Sequence, residues 1–232
     1  MLTAPHFSPD ALQSVLKRIA NAAEMAGRDP ATVRLLAVSK QQPEALVRRA
    51  ADAGQYDFGE NYVQEGVAKI TGLADLPLTW HFIGRLQSNK TRDVAQHFQW
   101  VHTVDRLRVA ERLSAQRPAH APPLQVLLQV SMGDESGKGG VEPAGLPTLA
   151  ARVAVLPQIE LRGLMCIPPP AADLEAQRAP YRRLRHMRDE LNAAGCRMDT
   201  LSMGMSDDLE AAVLEGATIV RIGTALFGPR PK

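Results

Sequence analysis

Cysteine is scarce: Cys166 and Cys196 are too few for a disulfide framework, and neither belongs to a C-x-x-C pair. A reducing, cytoplasmic setting is therefore expected. Long apolar runs are also missing, since none approaches the roughly 20 residues that a membrane helix needs. The opening Met-Leu-Thr-Ala-Pro-His has no basic segment leading into an apolar one, so no secretory signal is expected. Neither sign of charge dominates: 27 Lys and Arg stand against 25 Asp and Glu. That balance gives no electrostatic case for nucleic acid or an anionic membrane. The arginines concentrate at Arg178, Arg182, Arg183, Arg185 and Arg188. They read as the solvated face of one helix, with phosphate or RNA contact as the sharper alternative. The six histidines and two cysteines show no metal-ligand spacing.

What the chain does have is alternation. Ser8-Pro-Asp opens a first helical segment, with Leu12, Val15, Leu16 and Ile19 at helical spacing and Gly27 closing it. Short apolar runs then alternate with helical patterns. Strands are predicted at 33–39, 56–59, 79–83, 99–103, 124–130, 159–164, 199–203 and 218–222. Helices are predicted near 43–53, 61–70, 88–97, 105–116, 144–156, 174–194 and 206–215. Such alternation implies parallel pairing, because a crossover needs a helix to return the chain. Eight strands in 232 residues predict one domain over 1–232, a compact α/β (β/α)8 barrel of the TIM type with an extra N-terminal helix. An open doubly wound sheet is less favoured, because no Gly-x-Gly-x-x-Gly turn follows the first strand.

In such barrels chemistry collects where strands end. The first strand runs into Lys40, which shares parity with Leu36 and Val38 and so faces the same side. A snorkelling surface lysine is the plain alternative; the sharper one is an amine that forms an imine with a phosphate-bearing aldehyde. Strand two delivers Glu60 and Asn61. Strand three carries His81, as easily a satisfied core histidine as a ligand contact, and ends at Gly84. After strands seven and eight, Gly204 and Gly223 allow close approach of a ligand to the backbone. Ser206 and Thr224 add hydroxyls, and Ser206 is expected to head a helix, so a phosphate site is predicted there. Arg221 points to the same mouth and suits either a phosphate or a ring nitrogen. Asp207 and Asp208 would repel phosphate mildly if they faced it.

Other motifs fail. Gly133-Asp-Glu-Ser-Gly-Lys-Gly-Gly140 is one residue short of a phosphate-binding nucleotide loop and lacks its hydroxyl, so it reads as a plain loop. Gly204-Met-Ser-Asp-Asp208 lacks the second glycine of a nucleophile elbow.

The motifs Ala-Val-Ser-Lys40, Phe-Gly-Glu-Asn-Tyr-Val-Gln-Glu65, His-Phe-Ile-Gly-Arg-Leu-Gln-Ser-Asn-Lys90, Ser-Met-Gly-Met-Ser-Asp-Asp208 and Val-Arg-Ile-Gly-Thr-Ala-Leu-Phe-Gly228 closely resemble those of the pyridoxal phosphate homeostasis proteins. They occur in consistent order from about residue 8 to residue 230. The resemblance implies the barrel of alanine racemase and the cofactor pyridoxal 5′-phosphate, held by Lys40 as an imine. It further implies Asn61 beside the ring, His81 packed near it, and Ser202 and Met203 lining the pocket. Ser206, Gly223, Thr224 and Arg221 would hold the phosphate, with Arg221 left open between phosphate and pyridine nitrogen. Racemases take a second base from a separate domain of a partner chain, whereas this sequence ends at Lys232, soon after the last strand. Its tyrosines, Tyr56, Tyr62 and Tyr181, lie within the barrel segment. The expectation is a monomeric, non-catalytic carrier that takes up pyridoxal phosphate and passes it to apo-enzymes. A slow amino-acid racemase or lyase is the alternative, and an RNA-associated protein a third.

Overall fold

A computed structural model describes residues 6–133 and 139–228. The glycine-rich stretch at 133–140 thus falls mostly outside the described residues. The strands are β1 Arg34–Val38, β2 Asp57–Glu60, β3 Thr79–Phe82, β4 Trp100–Val104, β5 Leu124–Gln129, β6 Ile159–Met165, β7 Thr200–Ser202 and β8 Ile219–Ile222. They pair in sequence order, all parallel, and β8 returns to β1 to close a barrel. The helices are α1 Pro9–Met25, α2 Glu44–Asp52, α3 Val63–Gly72, α4 Thr91–His97, α5 Leu107–Gln116, α6 Leu146–Val153, α7 Leu174–Ala193, α8 Leu209–Leu214 and α9 Thr224–Phe227. This is the predicted TIM-type barrel with its extra N-terminal helix. The short α9 was not foreseen, because Thr-Ala-Leu-Phe is too brief to show a period.

Strand alternation divides the core. On β1, Leu35 and Ala37 join the main cluster between barrel and helices, while Leu36 and Val38 pack with Ile83 and Ile219 inside the barrel. Trp100, Leu127 and Met165 form a second interior cluster. The interior of a barrel this size is filled by side chains, and ligand sites collect at its C-terminal mouth.

The extra helix α1 is capped by the Ser8 hydroxyl, which accepts from the Asp10 amide, and Pro9 occupies its first turn. Its Arg18 grips Glu210 of α8 through Nε and Nη2, at 2.7 and 2.8 Å, and donates to the Ser206 carbonyl at 2.9 Å. A helix outside the barrel thereby ties down a loop at the mouth.

The arginine cluster has a use inside the molecule. Arg178, Arg182 and Arg185 of α7 converge on the Glu215 carboxylate at 2.8, 3.0 and 3.2 Å. Glu215 is buried at the C-terminal end of α8, where the helix dipole disfavours a negative charge. The three guanidiniums compensate it and lock α7 to α8, which replaces both the solvated face and the RNA contact for these arginines. Arg188 pairs with Asp189, and Arg183 is exposed. Glu215→Ala is therefore expected to lower unfolding stability in urea by about 2 kcal/mol or more, against less than about 0.5 kcal/mol for Arg183→Ala.

Candidate functional site

The mouth holds a cavity of about 380 Å3 whose wall includes Lys40, Asn61, Ser206, Arg221, Gly223 and Thr224. Val38, Ile83, Ile167 and Met205 supply its apolar surface, and Asp207 a carboxylate. The parity argument for Lys40 holds: Val38 and Lys40 stand on the same inner wall, one pleat apart.

A second lysine fixes the first. Lys69 of α3 is buried, and its ammonium donates to the Ser39 carbonyl at 2.6 Å, to Glu60 at 2.8 Å and to Glu65 at 2.7 Å. Glu60 also accepts from the Ser39 hydroxyl at 2.6 Å, and Glu65 accepts from the Gln41 amide. Burial pushes the Glu60 carboxyl up from its ordinary range, opposed by the Lys69 charge. Gln41 takes a left-handed φ of 59°, a conformation uncommon outside glycine. The backbone on both sides of Lys40 is thus held by one buried ion cluster, which aims the Lys40 side chain into the mouth. Residue spacing gave no sign of this role for Lys69, which looks like any polar position on an amphipathic helix.

Beneath the mouth a chain of hydrogen bonds crosses the barrel interior. Arg221 donates from Nη1 to the Ser202 hydroxyl at 2.8 Å and from Nη2 to the Cys166 carbonyl at 2.9 Å. Ser202 Oγ meets His102 Nδ1 at 2.9 Å, His102 Nε2 meets His81 Nδ1 at 3.0 Å, and His81 Nε2 meets Asp57 Oδ1 at 3.0 Å. Burial favours neutral imidazoles, and an ionised carboxylate can only accept, so the links run in one direction toward Asp57. Ser202 donates a hydrogen bond to His102 Nδ1, His102 Nε2 to His81 Nδ1, and His81 Nε2 to Asp57. Both imidazoles are then neutral, with the proton on Nε2. Burial, the dominant effect on each, lowers both histidines, His102 well below its ordinary value. Burial also pushes Asp57 up, but the hydrogen bond from His81 and the nearby Arg34 charge outweigh it and hold the carboxyl below its usual range. His81 stacks on Trp100, their ring centres 5.4 Å apart. Cys166, behind Arg221, has its thiol pushed up to about 12 by burial and is inert.

The structure sorts the expected site residues into three groups. Lys40, Asn61, Ser206, Arg221, Gly223 and Thr224 meet at one cavity. His81 and Ser202 lie below it, fully buried as members of the relay, so His81 is not packed beside the cavity. Met203 is placed elsewhere: successive strand residues face opposite sides, so it enters the core outside the barrel while Met205 lines the mouth. Ser206 does not head a helix either. Asp208 precedes α8, accepting from the Met205 amide at 2.6 Å and from the Tyr181 hydroxyl at 2.7 Å. Gly204, with φ of 92°, serves packing, since a Cβ there would lie 2.4 Å from Ala212. Among the described residues no cluster suited to a metal ion occurs.

A polar aromatic phosphate ester fits this wall. Pockets of roughly 300–1,000 Å3 accommodate small-molecule ligands. Asn61 Oδ1 is buried without a hydrogen-bond partner, a state that a polar ligand would relieve. The donor set of Lys40, Arg221, Ser206 and Thr224 matches an anion that also carries an electrophilic carbon.

Comparison with known proteins points the same way. Residues 10–231 match the family described as alanine racemase, N-terminal domain. A pyridoxal phosphate homeostasis protein of Pseudomonas aeruginosa is 61% identical over 219 residues, covering 94% of each chain. PipY of Synechococcus elongatus, solved with pyridoxal phosphate bound, shares 42% identity at a TM-score of 0.81, over 90% of this chain and 100% of its own. An alanine racemase of Clostridium difficile, at 16% identity and a TM-score of 0.76, shares the fold across 100% of this chain and 63% of its own.

The relay carries a pH signature. The folded pKa values of His81 and His102 lie below their unfolded ones, so below about pH 6.5 the unfolded chain binds protons that the folded one refuses. Stability is fully present above that pH and is lost as pH falls, by at most about 1.4 kcal/mol per pH unit for each histidine. Urea midpoints should decline between pH 7.5 and 5.5; a flat profile contradicts the neutral relay.

Proposed function

The chain belongs to the family of pyridoxal phosphate homeostasis proteins, and we propose that it holds pyridoxal 5′-phosphate at Lys40 and hands it to apo-enzymes. The observation that carries this reading is the meeting of one lysine, one buried arginine and a hydroxyl-bearing rim in a single cavity. When bound, pyridoxal phosphate supplies an electrophilic aldehyde carbon and an anionic phosphate. Lys40 provides the amine for covalent attachment. Ser206, Gly223 and Thr224, at the rim after β7 and β8, hold the phosphate, the place where barrels commonly bind one. Arg221 lies one pleat deeper than Gly223, tethered to Ser202 and Cys166. From that depth it would meet the ring edge, and our reading gives it the pyridine nitrogen in preference to the phosphate. Asn61, on the same wall, would lie beside the ring.

The same wall argues for holding over turnover. Racemisation needs a proton-transfer group on each face of the reacting carbon. Among the described residues lining the cavity there is no tyrosine, histidine or cysteine, and the carboxylate there, Asp207, belongs to an exposed residue on the loop after β7. Tyr181 is buried against Asp208, and the exposed Tyr56 and Tyr62 are not among the residues that line the cavity. Asp207, on the cavity wall, weakens the hold on a phosphate, which suits a site that must release. The reading is of a cytoplasmic, monomeric carrier that limits free aldehyde. No helix among the described residues is long and apolar enough to cross a membrane.

Mixing the purified protein with equimolar pyridoxal phosphate should give a visible absorption band. Borohydride should then fix one label on Lys40, located by peptide mass mapping. Lys40→Ala should lose the band and retain the cofactor at least tenfold less well; a band that survives the substitution overturns the assignment. Incubation of the loaded protein with L-alanine should yield no accumulating D-alanine. Steady production of the D-isomer would make the protein a racemase.

A further inference from the structure

Next to the Lys40 cavity lies a larger one, of about 970 Å3, walled by the turns after β2, β3 and β4. The two cavities share Asn61. The larger wall carries Arg85, Lys90 and Arg106, and among the described residues lining it there is no carboxylate. Arg106 is answered by Asp105 at 2.6 Å. Arg85 and Lys90 have no side-chain hydrogen bond or ion pair with any described residue. Two uncompensated cations facing one concavity repel each other and favour an anion between them.

The wall is also built firmly. Thr103, itself buried, donates to the Gly84 carbonyl at 2.6 Å. A Cβ on Gly84 would lie 2.0 Å from the Asn61 carbonyl, so the β2 and β3 turns are in direct backbone contact. Arg106 additionally reaches the Leu86 carbonyl at 3.3 Å. The space exceeds what inorganic phosphate would fill. Tyr62, 53% exposed, stands on the same wall with a face available for stacking. Cations for a phosphate chain beside an aromatic face are the chemistry that recognises a nucleotide.

We propose that this second cavity binds a nucleoside diphosphate, with Arg85 and Lys90 on the phosphates and Tyr62 against the base. The assignment does not depend on the role of Lys40, because neither Lys40 nor Arg221 lines this cavity. The shared Asn61 couples the two, a consequence that rests on the proposed function: a nucleotide in one cavity changes the release rate of pyridoxal phosphate from the other.

The test titrates the pyridoxal phosphate-loaded protein with ADP, pyrophosphate and adenosine by calorimetry at low salt. ADP should bind, pyrophosphate more weakly and adenosine not detectably. The Arg85→Gln/Lys90→Gln double variant should weaken ADP at least tenfold while its thermal midpoint and cofactor loading stay unchanged. Tyr62→Ala should weaken ADP and leave pyrophosphate alone. Lys40→Ala protein should still bind ADP, which separates failure of this site from failure of the carrier reading. Unaltered ADP affinity in the double variant overturns the proposal, as does no binding of ADP at millimolar concentration. Equal affinity for ADP and pyrophosphate removes the base and overturns the nucleotide assignment.

Discussion

A guanidinium sealed inside a barrel has to have its donors satisfied, and here a chain of hydrogen bonds runs from it to the other end of the interior. Arg221 is buried beneath the mouth, where Asp208 is the carboxylate whose charge acts on it; the chain that starts at Arg221 ends on Asp57, at the start of β2, which pairs with Arg34. Three neutral groups, Ser202, His102 and His81, connect Arg221 to Asp57, each oriented by its neighbour. An isolated charge in such surroundings would cost several kcal/mol. A fully satisfied polar chain avoids that cost and fixes the geometry of every member. The arginine therefore presents its remaining donors to the cavity from a set position. Its alignment is a property of the barrel interior and needs no ligand to impose it.

Two lysines at the mouth divide the work along the same lines. Lys69 has its three donors filled by Ser39, Glu60 and Glu65 and serves as structure. Lys40, on the segment that Lys69 immobilises, stands on the cavity wall. Around them the rim is tethered from outside: Arg18 of the added helix holds the Ser206 carbonyl, and Asp208 holds the Met205 amide. Rigid supports under an open mouth suit a protein that must bind a reactive aldehyde and later release it.

The parts of this design that were legible in the sequence are those written in short periods. Strand and helix positions followed from apolar spacing, and every strand lies within a residue or two of its expected place. Lys40 was legible through its parity with Leu36 and Val38. The relay was not, because Asp57, His81, His102 and Ser202 lie on four different strands and none forms a local motif. His81 by itself suggests a ligand contact, because its partners Asp57 and His102 lie on neighbouring strands. Met203 shares a motif with the pocket residues, yet strand alternation sends Ser202 and Met203 to opposite faces. The arginines of α7 looked solvated because their common partner, Glu215, is some thirty residues away.

The directional relay can be read directly from the protonation of its two histidines. Nitrogen-15 NMR of the histidine-labelled protein at pH 7.5 should show His81 and His102 both neutral, each with its proton on Nε2 and a bare Nδ1. A proton on Nδ1 of either ring, or an imidazolium at that pH, would contradict the account of how Arg221 is held.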